Sequence, residues 1–358
     1  MSFIIQDPAL FPAHIRQGDG QIQSVQEHCL ETALAASSAL TPAGLGSAAY
    51  LAGVLHDVGK MTNAFKSYLL KAVNGQPVQR GSVNHTFAGV QYLLRRFHGE
   101  SDPCAQLTSE LLAYAIGSHH GAFDVLDLDG ASGFEHRTSC NSNHYDEAIG
   151  NFLKGGFSEA ELDTHFQAAA AEVAALVQKL QNLSRQEGSR SVKREPLYYY
   201  LGMTARLLQS AVIDGDRQNT ALFMDPLRQD TALRQEERNN IWQTMLAALE
   251  RNLKAMPSGN SIQLARHGIS ELCAQFSDRP CGLYRLNVPT GGGKTLSGLR
   301  MALSQAIRFG KTHIFYIAPL ISILEQNTEA IRQTAECRIW GTISSSSPRI
   351  VLRTDTKA

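Results

Sequence analysis

Histidine and aspartate recur at His28, at the adjacent His56 and Asp57, at His85, at the adjacent His119 and His120, and at Asp214 or Asp216. Imidazole and carboxylate are the mixed ligands of borderline divalent transition metals such as Mn, Ni, Co or Fe. Together these side chains exceed what one tetrahedral or octahedral ion with bound water would use, so two metals are the natural count. Each site taken singly has a plainer reading, a helix-end histidine capping a backbone carbonyl at a C-terminus. A second chemistry is written in VPTGGGKT, Val288 to Thr295. Its glycines let successive N–H groups turn toward phosphate oxygens at a helix N-terminus, Lys294 reaches the β and γ phosphates, and the Thr295 hydroxyl can hold magnesium. Thr290, Gly291, Gly292, Gly293, Lys294 and Thr295 are therefore the expected contacts for Mg-ATP. The remaining histidines, His14, His98, His136, His144, His165, His267 and His313, carry no assigned role.

Helical periodicity is expected to position the first set. Ser24 with Glu27 three residues on marks a helix start that carries His28 early in its length. Leu51, Val54, Leu55 and Val58 bury one face of a helix whose last turn holds His56 and Asp57 before Gly59. A helix over Met61 to Val73 follows. The spacing predicts further helices over Asn84 to Phe97, with His85 in the first turn, and over Leu107 to His120, with His119 and His120 at its end. Residues 1 to 23 read as irregular, and Ala122 to Asn143 as a long loop. Two long helices run from Ser158 to Gln186 and from Glu195 to Asp216, where Asp214 and Asp216 close the second among apolar neighbours. A last helix of this kind ends at Pro257, the expected domain boundary. Beyond it, strand and helix alternate: Gly282 to Pro289 as a strand, Leu296 to Phe309 as a helix, Lys311 to Pro319 as a strand and Leu320 to Thr334 as a helix. That order predicts a parallel α/β sheet in 258–358 after a helical domain in 1–257. The tail from Gly341 has weak structural preference.

Composition narrows the classes. The 358 residues allow more than one core, and 33 basic residues balance 33 acidic ones, so no overall basic field announces a polyanion partner. The six cysteines form no C-x-x-C pair, which fits reduced thiols and a cytoplasmic location. No stretch approaches the about 20 apolar residues of a membrane span, and the N-terminus lacks a basic, apolar leader, so no membrane partner is expected.

The pattern of His28, His56-Asp57, His85, His119-His120 and a late Asp resembles the HD-domain metal-dependent phosphohydrolases, in particular their binuclear branch. The resemblance implies that His28, His56, Asp57 and the late Asp hold one metal, and that Asp57, His85, His119 and His120 hold the other, with Asp57 bridging. It also implies that Lys60, in the H-D-x-G-K order, faces the substrate phosphate. Helical spacing puts Asp216 one turn beyond Val212 and favours it as the late ligand, with Asp214 as the alternative. VPTGGGKT resembles motif I of superfamily 2 helicases, and Phe315 to Asn327 resembles their motif Ia. An HD nuclease followed by such a core resembles the CRISPR-associated helicase-nuclease of type I systems.

What that resemblance implies is an α-helical HD-type domain followed by an incomplete α/β, RecA-like domain. It implies metal-dependent cleavage of single-stranded DNA by a two-metal scheme, and recruitment by a crRNA-guided, Cascade-like surveillance complex. The sequence ends at Ala358 without a D-E-x-H or D-E-A-D box or a second RecA-like domain, so duplex unwinding by this chain alone is not expected. Two other readings use the same ligands. One is an HD phosphodiesterase acting on nucleotides or cyclic dinucleotides, although the G-Y-P signature of one such branch is absent after His120. The other is a non-catalytic recruitment fragment with structural metals.

Overall fold

Ser24 starts the helix that carries the first candidate ligand. Its hydroxyl accepts from the Glu27 N–H at 3.2 Å while Glu27 Oε2 accepts from the Ser24 N–H at 2.9 Å, a reciprocal cap that fixes the start of α1 (Val25–Leu40). Ahead of it, β1 (Pro12–Ile15) pairs antiparallel with β2 (Ile22–Ser24), where the sequence had suggested irregular chain. Phe11, Pro12, Ala13 and Ile15 are all buried, so the run carries no period-two signal that would mark it as a strand.

The computed structural model describes residues 7, 10–79, 81–99, 102–121, 133–140, 143–185, 193–226, 234–318, 320–335 and 350–351. The chain divides into two units, Met1–Gln229 and Asp230–Ala358. In the first, α2 (Gly46–Leu55) is the central element. Ala48, Ala49, Leu51, Ala52, Val54 and Leu55 are all fully buried, so apolar residues surround the helix rather than line one face. It is packed by α1 and by three later helices, α5 (Pro103–Gly117), α8 (Glu159–Leu183) and α9 (Arg194–Met224). Between these lie α3 (Asn63–Val73), α4 (Phe87–Leu93), α6 (Gly133–Ser139) and α7 (Tyr145–Lys154). The C-terminus of α2 thus delivers its next residues into the middle of the unit.

Several helix ends differ from the sequence expectation. α4 begins at Phe87, so His85 stands before the helix rather than in its first turn. α5 begins at Pro103, capped by the Asp102 carboxylate, and stops at Gly117, leaving His119 and His120 beyond its end. The expected loop 122–143 contains α6, and residues 122–132 lie outside the described residues. α9 runs through Gly215 to Met224 instead of closing at Asp216.

The second unit holds α10 (Gln235–Ala255), α11 (Ser261–Phe276), α12 (Lys294–Arg308) and α13 (Ile321–Ala335). Trp242, Met245 and Leu249 of α10 share one core with Leu299 and Leu303 of α12 and with Ile331 of α13. The unit therefore begins ahead of α10, although the chain break at Pro257 follows it. A proline ends a helix without deciding which neighbour covers the helix's apolar face.

The parallel sheet expected in this unit is not found among the described residues. Phe315–Tyr316 (β3) pairs with Ile350–Val351 (β4) in an antiparallel two-residue ladder. Residues 282–289 form no strand, and Leu283 is fully exposed at 101%. A run with strand composition stays unladdered when no neighbouring strand supplies partners for its backbone groups. The tail beyond Gly341, apart from β4, lies outside the described residues. No described helix is long and apolar enough to cross a membrane.

Candidate metal centre

Asp57 occupies the middle of the first unit, fully buried directly after α2. Its two oxygens face two sets of imidazoles. Oδ2 lies 3.3 Å from His28 Nε2 and 3.3 Å from His56 Nε2, while Oδ1 lies 3.6 Å from His119 Nε2 and 4.0 Å from His85 Nε2. Asp216 Oδ1 stands 3.2 Å from His28 Nε2 and 4.0 Å from His56 Nε2. His85 Nε2 and His120 Nε2 approach to 2.8 Å. Ligand atoms of His28, His56, Asp57 and Asp216 all lie within 4.8 Å of one another, and so do those of Asp57, His85 and His120. His119 faces Asp57 without joining the second group at that spacing. Asp214, two residues before Asp216, is exposed and accepts a hydrogen bond from Gln218 Nε2 at 2.8 Å.

Helix ends orient two of these rings. Nδ1–H of His56 donates to Gly53 O at 2.7 Å, and Nδ1–H of His119 donates to Ile116 O at 2.6 Å. A carbonyl can only accept, so each ring carries its proton on Nδ1 and turns the Nε2 lone pair inward. His85 is placed by its backbone: a Cβ on Gly59 would lie 2.1 Å from His85 O, so the turn after Asp57 and the segment bearing His85 approach as only glycine allows. Gly215 does the same for α9, where a Cβ would lie 2.8 Å from Thr32 O on α1. That close approach sets Asp216 beside His28.

The electrostatics suit a cation. His28 Nε2, His56 Nε2, His119 Nε2 and both Asp57 oxygens are buried without a well-aligned hydrogen bond. The buried Lys60 ammonium lies 2.6 Å from Asp57 Oδ2. Burial opposes ionisation of Asp57, but the charge of Lys60 and the nearby His56 outweigh it and hold the carboxyl well below its ordinary range. Burial likewise opposes the Asp216 carboxylate, and the hydrogen bond from His28 reverses the balance and lowers it. His28 itself, despite burial, is raised to about 9 by Asp216 and Asp57. Burial lowers His56 and His85, and it lowers His120 to about 4 with help from the neighbouring His119. Ionised carboxylates beside His56, His85 and His120, which burial keeps neutral, form a donor set of lone pairs with few protons, which fits divalent metal.

His14, left without a role by sequence reasoning, belongs to this neighbourhood. Its ring meets His28 edge-on with centroids 4.8 Å apart, and its Nε2 lies 3.1 Å from the Thr220 hydroxyl, which donates to Asp216 Oδ1 at 3.4 Å. Burial, with Lys60 and His28, pushes its pKa down to about 3. No sequence signal marked it, because its placement depends on β1.

In the second unit, Gly291 and Gly293 adopt φ of 81° and bend the chain into the start of α12 at Lys294. The Lys294 side chain is exposed, the Thr295 hydroxyl donates to Asn327 Oδ1 at 2.8 Å, and Arg266 Nε donates to Gly291 O at 2.7 Å.

A helical unit that gathers separated histidines around one buried His-Asp pair is the site of an HD-type metal-dependent hydrolase. The family model described as "Cas3, HD domain" matches residues 15–205, just over half of the chain, and the chain belongs to that family. The match accounts for the nuclease and CRISPR-associated character of the first unit. Asp216 falls beyond the matched segment, farther along α9. A comparison with curated proteins gives no match.

Proposed function

We propose that this chain is a two-metal nuclease that hydrolyses phosphodiester bonds of single-stranded DNA in CRISPR interference, and that its second unit binds Mg-ATP at the glycine loop. The observation that carries the nuclease reading is the pair of ligand groups sharing Asp57, one oxygen toward each. His28, His56, Asp57 and Asp216 would hold one ion. Asp57, His85 and His120, with His119 beside them, would hold the other. Bound divalent metal supplies an activated water and positive charge at the scissile phosphate.

The residues themselves do the rest. The first group is buried apart from the edge of Asp216, whereas His120 is exposed and His85 half-buried, so a phosphate reaches the centre from the His85 and His120 side. A single strand presents its phosphates without a paired partner on that approach. Lys60 is near enough to answer charge on a phosphate once Asp57 is shared with metal. The loop from Thr290 to Thr295 offers glycines, an exposed lysine at a helix start and a hydroxyl, the chemistry of a triphosphate cradle. We assign the nuclease to the unit ending at Gln229 and nucleotide binding to the unit beginning at Asp230. By the same resemblance, the partner is a crRNA-guided, Cascade-like surveillance complex in the cytoplasm.

The test is degradation of circular single-stranded DNA by the full chain reconstituted with Mn²⁺. Cleavage that stops with chelator and spares linear duplex is the expected result. Inertness toward DNA together with hydrolysis of cyclic dinucleotides would overturn it.

A further inference from the structure

His56 and His119 are oriented by carbonyls in the last turns of the helices that precede them. His28 has no such partner, because it sits in the first turns of α1 where the preceding carbonyls are spent on the helix. Its Nδ1 meets a side chain instead, Asn219 Oδ1 at 2.6 Å, contributed by α9 one turn beyond Asp216. An amide can present either oxygen or nitrogen, so its orientation must be fixed from behind. Asn219 Nδ2 donates to Glu31 Oε2, and Gln23 Nε2 donates both to Asn219 Oδ1 at 2.9 Å and to Glu31 Oε2 at 3.1 Å. A carboxylate accepts only, so turning the amide over would set its oxygen against Glu31 and its NH₂ against the His28 proton. Gln23 and Asn219 are themselves buried, at 5% and 8% exposure, which makes a misdirected amide costly.

We propose that Asn219, held by Glu31 and Gln23, is a positioning residue that fixes His28 with its proton on Nδ1 and its Nε2 lone pair toward Asp57 and Asp216. α9 therefore supplies both a carboxylate of the first ligand group and the support of its histidine, three residues apart on a helix and so on one face. The inference rests on the reading of His28 as a metal ligand. Losing an outer partner of this kind typically weakens metal binding by roughly 10- to 100-fold.

The experiment is Mn²⁺ titration of the full metal-free chain by calorimetry, with thermal melting of each variant alongside. Asn219→Ala is expected to weaken one of the two ions by roughly 10- to 100-fold while melting near the wild type. The double variant Asn219→Asp with Glu31→Gln exchanges the roles of the pair: the aspartate still accepts from His28 and the glutamine donates to it. It is expected to bind within a few-fold of wild type. Wild-type affinity in Asn219→Ala, or a double variant as weak as Asn219→Ala, overturns the proposal. Should Asn219→Ala not fold, the double variant decides, and a tenfold or greater loss in it counts against the acceptor role. His28→Ala separates the two levels: if it leaves both ions bound as in wild type, the ligand assignment itself has failed rather than the support.

Discussion

The ligand cluster of the first unit and the glycine loop of the second are opposite kinds of site. The cluster draws on residues from His28 to Asp216, brought from three helix ends and two helix interiors onto one buried carboxylate. The loop is a contiguous run whose lysine is exposed and whose expected flanking strand has no ladder partner among the described residues. A dispersed site exists only if the core that gathers it is formed, so its geometry is fixed before any ligand arrives. A contiguous glycine loop needs little more than its own backbone, and it keeps its turn into α12 even where the surrounding sheet is absent among the described residues. The difference teaches that a motif's clarity in sequence says little about how completely its setting is built.

The sharpest break in this comparison is Asp57→Ala. It removes the oxygens common to both groups, so elemental analysis should find both ions lost, and cleavage should fall by about a thousandfold or more, the scale of several kcal/mol in transition-state stabilisation. His85→Ala should lose mainly one ion; equal losses in the two variants would leave the sharing by Asp57 unsupported. Next in size, Lys60→Met should lower single-strand cleavage by about a hundredfold, as loss of one charge-stabilising donor does, while metal content stays at the wild-type level.

The buried cluster should also respond to pH where the exposed loop does not. His28 is protonated below about 9 in the metal-free protein because of its two carboxylates. A metal binding there must displace that proton, so affinity should rise with pH by up to about tenfold per unit and level off above about 9. A pH-independent Mn²⁺ affinity between pH 6 and 8 would contradict this. Lys294→Ala reverses the emphasis. Loss of a charged contact to phosphate, about 1.5–3 kcal/mol, should weaken ATP binding by tenfold or more in a fluorescent-nucleotide assay, with cleavage within about twofold of wild type. The smallest effect belongs to Asp214→Asn, for which metal content and cleavage should stay within about twofold, since its carboxylate faces solvent and Gln218. Loss of an ion in that variant would return Asp214 to the ligand set.

Sequence alone determined the residue types and the helices that carry them. The Ser24 and Glu27 capping signal, the apolar run of α2 and the helical segments of α8 and α9 are local, so propensity and periodicity suffice to find them. The same is true of the glycines from Gly291 to Gly293, whose turn into α12 is written in consecutive residues. Tertiary structure decided what depends on partners distant in the chain. It decided between Asp214 and Asp216 as the carboxylate near His28, because Gly215 lets α9 approach α1 and the helix continues past the Asp216 end read from sequence. It brought in His14 and Asn219, which carry no motif and acquire meaning only beside His28. It moved α10 into the second unit, because burial of an apolar face follows the neighbour that covers it. Strand formation at 282–289 also lay outside what sequence could fix, since a strand's backbone is satisfied only by another strand.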